Sequence, residues 1–217
     1  MLQLIVELRL ADLASAADLD IENKNARIYS NLCRIQANTL ETDEAIKHCN
    51  IVLTIEAASP IELSQAHSIL GDLFQKVGDS ERAKKHLFEA ETIFPNDTNV
   101  KVALAKFYRA QEEFSLAVEY ASQAIALNQT KTVAYSQRAY ALYRLGEYDA
   151  AISDVEKGLA VLEKDQSLLP TYRPAEKRSL YYTLANIYHV TGNNEKAGES
   201  KRLGDEAFPD SYLIENN

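Results

Sequence analysis

His67-x2-Leu70-Gly71-x2-Phe74, followed by Ala83-x3-Leu87-x2-Ala90 and closed by Pro95, is the stretch on which the reading of this chain turns. It sets a large residue, a Leu-Gly pair and an aromatic along one helix. A small residue, a large one and a second small one follow along the next. Gly78-Asp79 stands between the two runs, where the backbone needs a left-handed or tight turn. A step of 34 residues from Ala83 lands on Ala117, and one more lands on Ala151. Small residues at a fixed period, with their large neighbours kept in phase, mark an internal repeat of two helices.

Outward from this stretch the period persists. Repeat one, about 26–58, carries Tyr29, Leu32, Cys33 and Gln36 on its first helix and Ala45, Cys49 and Val52 on its second. Gln36 stands where an aromatic is usual. Ser59-Pro60-Ile61-Glu62 then supplies an N-cap, a proline for the first helical position and a glutamate placed for a capping box. Repeat two spans about 64–97. Repeat three, about 98–131, holds Leu104, Ala105, Tyr108, Ala117, Ala121 and Ala124. Repeat four, about 132–165, holds Tyr135, Ala139, Leu142, Gly146, Ala151, Val155 and Gly158, with Arg138 where the pattern wants Leu. Ala151 to Ala197 is 46 residues, so an insertion of 12 falls at about 163–177. Its prolines, Pro170 and Pro174, end one helix and delay the next until about Ala175. Repeat five, about 178–211, restores phase with Tyr181, Leu184, Ala185, Tyr188, Gly192, Ala197 and Gly204. Residues 1–25 read either as a partial repeat, because Ala11 lies 34 residues before Ala45, or as a capping helix.

Composition narrows the function. The 217 residues are 46% hydrophobic and 25% charged, values of a globular chain. A net charge of −9 argues against nucleic acid as a partner, since such binders show a basic face. No run of 18 apolar residues occurs, so direct membrane insertion is not expected. The apolar opening, Leu2 to Leu8, lacks a basic flank and makes a poor signal peptide. The chain as written is expected in the cytoplasm, or in an extracytoplasmic space such as the periplasm if a leader has been removed.

The repeat resembles the tetratricopeptide-repeat family in its Leu-Gly, aromatic, small-residue and closing-Pro positions. The resemblance covers repeats one to five. It implies an all-α, right-handed superhelical solenoid of antiparallel helix pairs over 26–217, preceded by the element at 1–25. It also implies that one stripe of each first helix lines a concave groove. Carried over residue by residue, that stripe includes Arg27, Asn31 and Arg34, then Lys76, then Lys106 and Arg109. Tyr140, Tyr143 and Arg144 follow, and Tyr182, Asn186 and His189 close it. Six cations (Arg27, Arg34, Lys76, Lys106, Arg109 and Arg144) face one acid, Asp72, in a chain that is acidic overall. Such a wall suits a protein or peptide partner with acidic side chains or a free C-terminal carboxylate. The plainer alternative is a solvated helical surface. The family's chaperone-tail clamp, Lys-x3-Asn, then Asn, then Lys-x3-Arg on three successive first helices, is not matched.

No catalytic signature appears: no GxSxG, HExxH, P-loop or dinucleotide fingerprint. No enzyme activity, cofactor or metal is therefore expected. The histidines His48, His67, His86 and His189 are read as lying in different repeats without ligand spacing, with His67 packed in its helix. By family geometry Cys33 and Cys49 face each other across the first hairpin. Two readings stay open there: small residues filling a tight contact, or a disulfide. Arg138 is expected to lay its stem on the core and reach an acid at the edge, and an exposed Leu168 to Tyr172 to make a second contact surface. The leading function is a non-catalytic protein–protein interaction scaffold. The alternative is a regulatory or sensor module of a longer signalling or assembly protein.

Overall fold

The computed structural model describes residues 11–13, 15, 25–39, 42–164 and 172–207. The expectations for residues 1–10, for the apolar segment 168–171 and for the tail after 207 lie outside them. Ten helices are described with both ends: α1 Ala26–Asn38, α2 Thr42–Thr54, α3 Pro60–Lys76, α4 Ser80–Ile93, α5 Thr98–Ala110, α6 Phe114–Leu127, α7 Thr132–Arg144, α8 Tyr148–Lys164, α9 Tyr172–Val190 and α10 Asn194–Ala207. No strand occurs among the described residues. Consecutive helices pack against one another within each unit, and the fold is all-α, as expected.

Local chemistry explains the helix ends. Asn25 Oδ1 accepts from Arg27 N–H at 3.0 Å and opens α1. Ser59 and Glu62 form the anticipated capping box at α3, with Pro60 at the first position. Asp79 caps α4 by accepting from Arg82 N–H at 2.9 Å. The turn inside a pair requires a left-handed residue, and Gly78, Gly146 and Gly192 supply it with φ of +83°, +81° and +80°. Repeat three has no glycine there. Glu112 takes the position with φ 61°, an unfavourable choice for a residue carrying a Cβ.

One boundary departs from expectation. α9 starts at Tyr172, not near Ala175, so Pro174 lies inside its first turn. A proline is tolerated there because first-turn N–H groups have no partner within the helix.

The chain divides into two compact units, Met1–Ala103 and Leu104–Asn217, with the division inside α5. In unit 1 the core is Leu32, Cys33, Ala45, Cys49, Val52, Leu70, Leu73, Phe74, Ala83, Leu87 and Ala90, all buried. Gly71 is needed for contact between α3 and α4: a Cβ there would sit 2.5 Å from Leu87 Cγ. Cys33 and Cys49 are joined in a disulfide that ties α1 to α2, with Cα atoms 4.9 Å apart.

In unit 2, Ala139, Val155, Leu162 and Leu180 form one buried cluster, which draws α7, α8 and α9 together. Leu142, Ala151 and Ile187 form a second. Gly158 admits Leu180 of α9, whose Cδ1 would lie 3.0 Å from a Cβ at that position. In each case a large side chain sits over a small residue of a neighbouring helix, which is why the small residues recur. Burying each such Leu contributes roughly 1.5–3 kcal/mol.

Candidate functional site

In unit 1 the first helices α1 and α3 and the start of α5 enclose a recess of about 280 Å³. Arg34 and Asn38 come from α1, Gln65, Ser68, Asp72 and Lys76 from α3, and Asp97 and Asn99 from the entry to α5. Of the anticipated residues it gathers Arg34 and Lys76. Arg34 Nη2 donates to Asn31 Oδ1 at 3.3 Å, and Lys76 Nζ donates to the Ala37 carbonyl at 3.3 Å. Arg27 is exposed at the start of α1 and does not line the recess. Two cations share this space with two carboxylates, so the recess is close to balanced in charge.

Unit 2 presents a different wall. Lys106 and Arg109 of α5 and Tyr140 of α7 are half-buried, and Arg144 is exposed. The Arg109 guanidinium lies 5.1 Å over the Tyr140 ring. Arg144 lies 4.4 Å over the Phe114 ring and donates to the Tyr140 hydroxyl at 3.2 Å. Glu112 stands 3.8 Å from its other terminal nitrogen. A guanidinium laid on a ring keeps its N–H fork in the plane, where a carboxylate meets it edge-on. Tyr143 belongs partly to the core: it packs on the Leu142–Ala151–Ile187 cluster and meets Tyr140 edge-on at 6.0 Å.

The anticipated residues of α9 are deployed differently. The Tyr182 hydroxyl donates to Asp205 at 2.5 Å, and its ring covers Gly204 of α10. Arg178 lies 5.2 Å over the same ring. Asn186 and His189 are exposed.

Glu176 is the residue sequence reasoning missed. It belongs to the first turns of α9, and Ser136 Oγ of α7 stands 3.2 Å from its Oε2. Lys106, Lys131 and Arg109 act on its carboxylate electrostatically. Burial raises its pKa above the usual carboxylate range; the Ser136 contact and the three cations oppose that shift without cancelling it. The only available signal was its place in the insertion, where the 34-residue phase is lost.

Three side-chain arrangements have structural roles. Arg138 holds Asp154 bidentately, at 2.6 and 2.7 Å, and Nη1 donates to Ser122 at 3.0 Å. Asp154 is buried rather than at an edge, so the acid expected for Arg138 lies deeper than the sequence suggested. The reading that the histidines lie in different repeats is corrected: His67 and His86 occupy the two helices of one pair. Their Nδ1 atoms are 2.9 Å apart, and His86 stacks on Phe74. Burial lowers both imidazole pKa values. Among the described residues no three His, Cys, Asp or Glu side chains form a metal site. No described helix is long and apolar enough to cross a membrane.

Antiparallel helix pairs recurring at a fixed step, with small residues at each close contact, define a helical-repeat protein. Comparisons with known proteins support the resemblance to the tetratricopeptide-repeat family. A family model described as tetratricopeptide repeat matches residues 133–161, the body of α7 and α8. The chain is 30% identical over 189 residues to the TPR repeat-containing protein YpiA of Bacillus subtilis, across 76% of its own length. It spans 44% of that relative. Among solved structures it is similar to YrrB, described as a TPR protein with an unusual peptide-binding site: TM-score 0.58, 21% identity, 93% of this chain and 94% of that one. It also matches a chain of the APC/C hetero-tetramer Cut9-Hcn1, with TM-score 0.78, 14% identity, 97% of this chain and 39% of that one. At these identities the structural likeness carries the fold alone.

Proposed function

We propose that the chain is a non-catalytic protein–protein interaction scaffold whose working surface is the α5–α7 wall of unit 2, and that its ligand is an extended peptide bearing carboxylates. The observation that carries this reading is the Arg109–Tyr140–Arg144 arrangement, in which two guanidinium groups are seated on aromatic rings. Seated cations lose little side-chain freedom when a carboxylate arrives, so more of the interaction survives as affinity. Tyr140 adds rigid contact area, as aromatic anchors do in peptide-binding surfaces. The fold shared with YrrB, itself described as having a peptide-binding site, is consistent with such a role.

The test is fluorescence anisotropy with a labelled acidic peptide and a basic peptide of equal length, at low and moderate salt. Wild type is expected to bind the acidic peptide, less tightly as salt rises. The Arg109→Glu, Arg144→Glu double variant should lose at least about tenfold, since two charge-assisted contacts become repulsive. Equal affinity of wild type and double variant overturns the reading.

A further inference from the structure

We infer that unit 2 contains a carboxylate-binding subsite, formed by Lys106, Arg109, Lys131 and Ser136, and that Glu176 of the same chain occupies it until an acidic ligand displaces it. This deepens the function proposed above and rests on it.

Glu176 is presented to the wall by α9, whose first turns lie within the 163–177 segment that breaks the repeat phase. Its carboxylate meets Ser136 Oγ and lies in the field of three cations from α5 and from the residue just before α7. No ion pair within 4.0 Å holds it there among the described residues. Ser136 is not a committed partner either. Its hydroxyl lies 3.0 Å from the Val133 carbonyl and 3.2 Å from Glu176 Oε2, and its single proton serves one of them at a time.

A second observation is independent of Glu176. Thr132 is buried, 3% exposed, and its Oγ1 has no hydrogen-bond partner. It precedes Ser136 by four residues and so shares its face of α7. Buried hydroxyls are normally partnered. An incoming carboxylate brings two oxygens and a full charge to this strip, whereas Glu176 reaches Ser136 with one oxygen. The favoured ligand is therefore a peptide with consecutive acidic residues, one of which replaces Glu176 while others meet Arg109 and Arg144. Glu176 sets the threshold by lowering the fraction of protein with an open subsite.

The experiment is anisotropy titration of labelled hexaglutamate, capped at its C-terminus, against the full chain at pH 7. Glu176→Gln keeps the side-chain shape and removes the charge; Glu176→Ala is the second variant; thermal melts establish that both fold. Each is expected to bind about three- to tenfold tighter than wild type. Glu156→Gln makes the same net-charge change at an exposed position of α8 and should leave affinity unchanged. Adding Lys106→Glu to Glu176→Gln should remove the gain. If hexaglutamate binds wild type but Glu176→Gln gains nothing, or gains no more than Glu156→Gln, the subsite inference is overturned while the scaffold reading stands. If no variant binds, the acidic-ligand reading itself fails.

Discussion

Units 1 and 2 use the same repeat spacing and treat charge on their first helices in opposite ways. In unit 1 the cations Arg34 and Lys76 share a recess with Asp72 and Asp97, and Lys76 is tied to a backbone carbonyl. In unit 2 Arg109 and Arg144 are seated on aromatic rings, and the nearby carboxylate of Glu176 is borrowed from another helix. The scaffolding differs as well. Both units bury an ion pair, Lys101–Glu91 in unit 1 and Arg138–Asp154 in unit 2, but unit 1 is also fastened by the Cys33–Cys49 disulfide, whereas unit 2 has no cysteine and relies on its ion pair. The period of a repeat thus fixes where helices go, and the side chains left over decide which part of the wall can accept a ligand.

The sharpest way to break this contrast lies in the ion pair. Arg138→Leu restores the repeat consensus, yet it strands the buried Asp154 carboxylate and should lose about 3–5 kcal/mol of stability in denaturant titration. Adding Asp154→Ala should recover most of that loss, because the stranded charge, not the missing arginine, is the penalty. A single variant as stable as wild type would remove the ion pair from the account.

Reducing the disulfide addresses unit 1. The bridge closes a loop across a sequence separation of 16, which corresponds to about 3 kcal/mol by loop entropy. Unfolding with and without reductant should show that loss, and thiol counting without reductant should find no free cysteine. Two reactive thiols and an unchanged midpoint would favour the close-packed alternative.

The smallest effect is expected at the odd turn. Glu112→Gly relieves a positive φ and should stabilise unit 2 by about 1 kcal/mol. Loss of the 3.8 Å contact with exposed Arg144 offsets little of this, since solvent screens the pair. A destabilised variant would mean that the glutamate, not the turn, matters there.

Most of the fold was legible because its signal is periodic. Ala83, Ala117 and Ala151 fall where second helices meet first helices, and the Ser59–Glu62 cap stands where its chemistry required. The early start of α9 was hidden because proline rules disfavour helix without forbidding a first turn. Within the wall, the family resemblance named Lys106, Arg109, Tyr140 and Arg144, and the structure brings Arg109, Tyr140 and Arg144 into contact. The resemblance could not show that Tyr182 is used on Asp205 or that Tyr143 is half core, because both depend on a neighbouring helix. Glu176 and the His67–His86 contact were invisible for the same reason: each exists only once separate helices are packed.

Hydrogen–deuterium exchange of the full chain, with and without a saturating acidic peptide, tests the central claim most directly. Slower exchange should appear in α5 from Leu104 onward and across Thr132–Arg144, with the α1 and α3 peptides of unit 1 unchanged. Protection confined to the Arg34–Lys76 recess, or absent from both walls while the peptide is bound, would contradict the assignment of the working surface to unit 2.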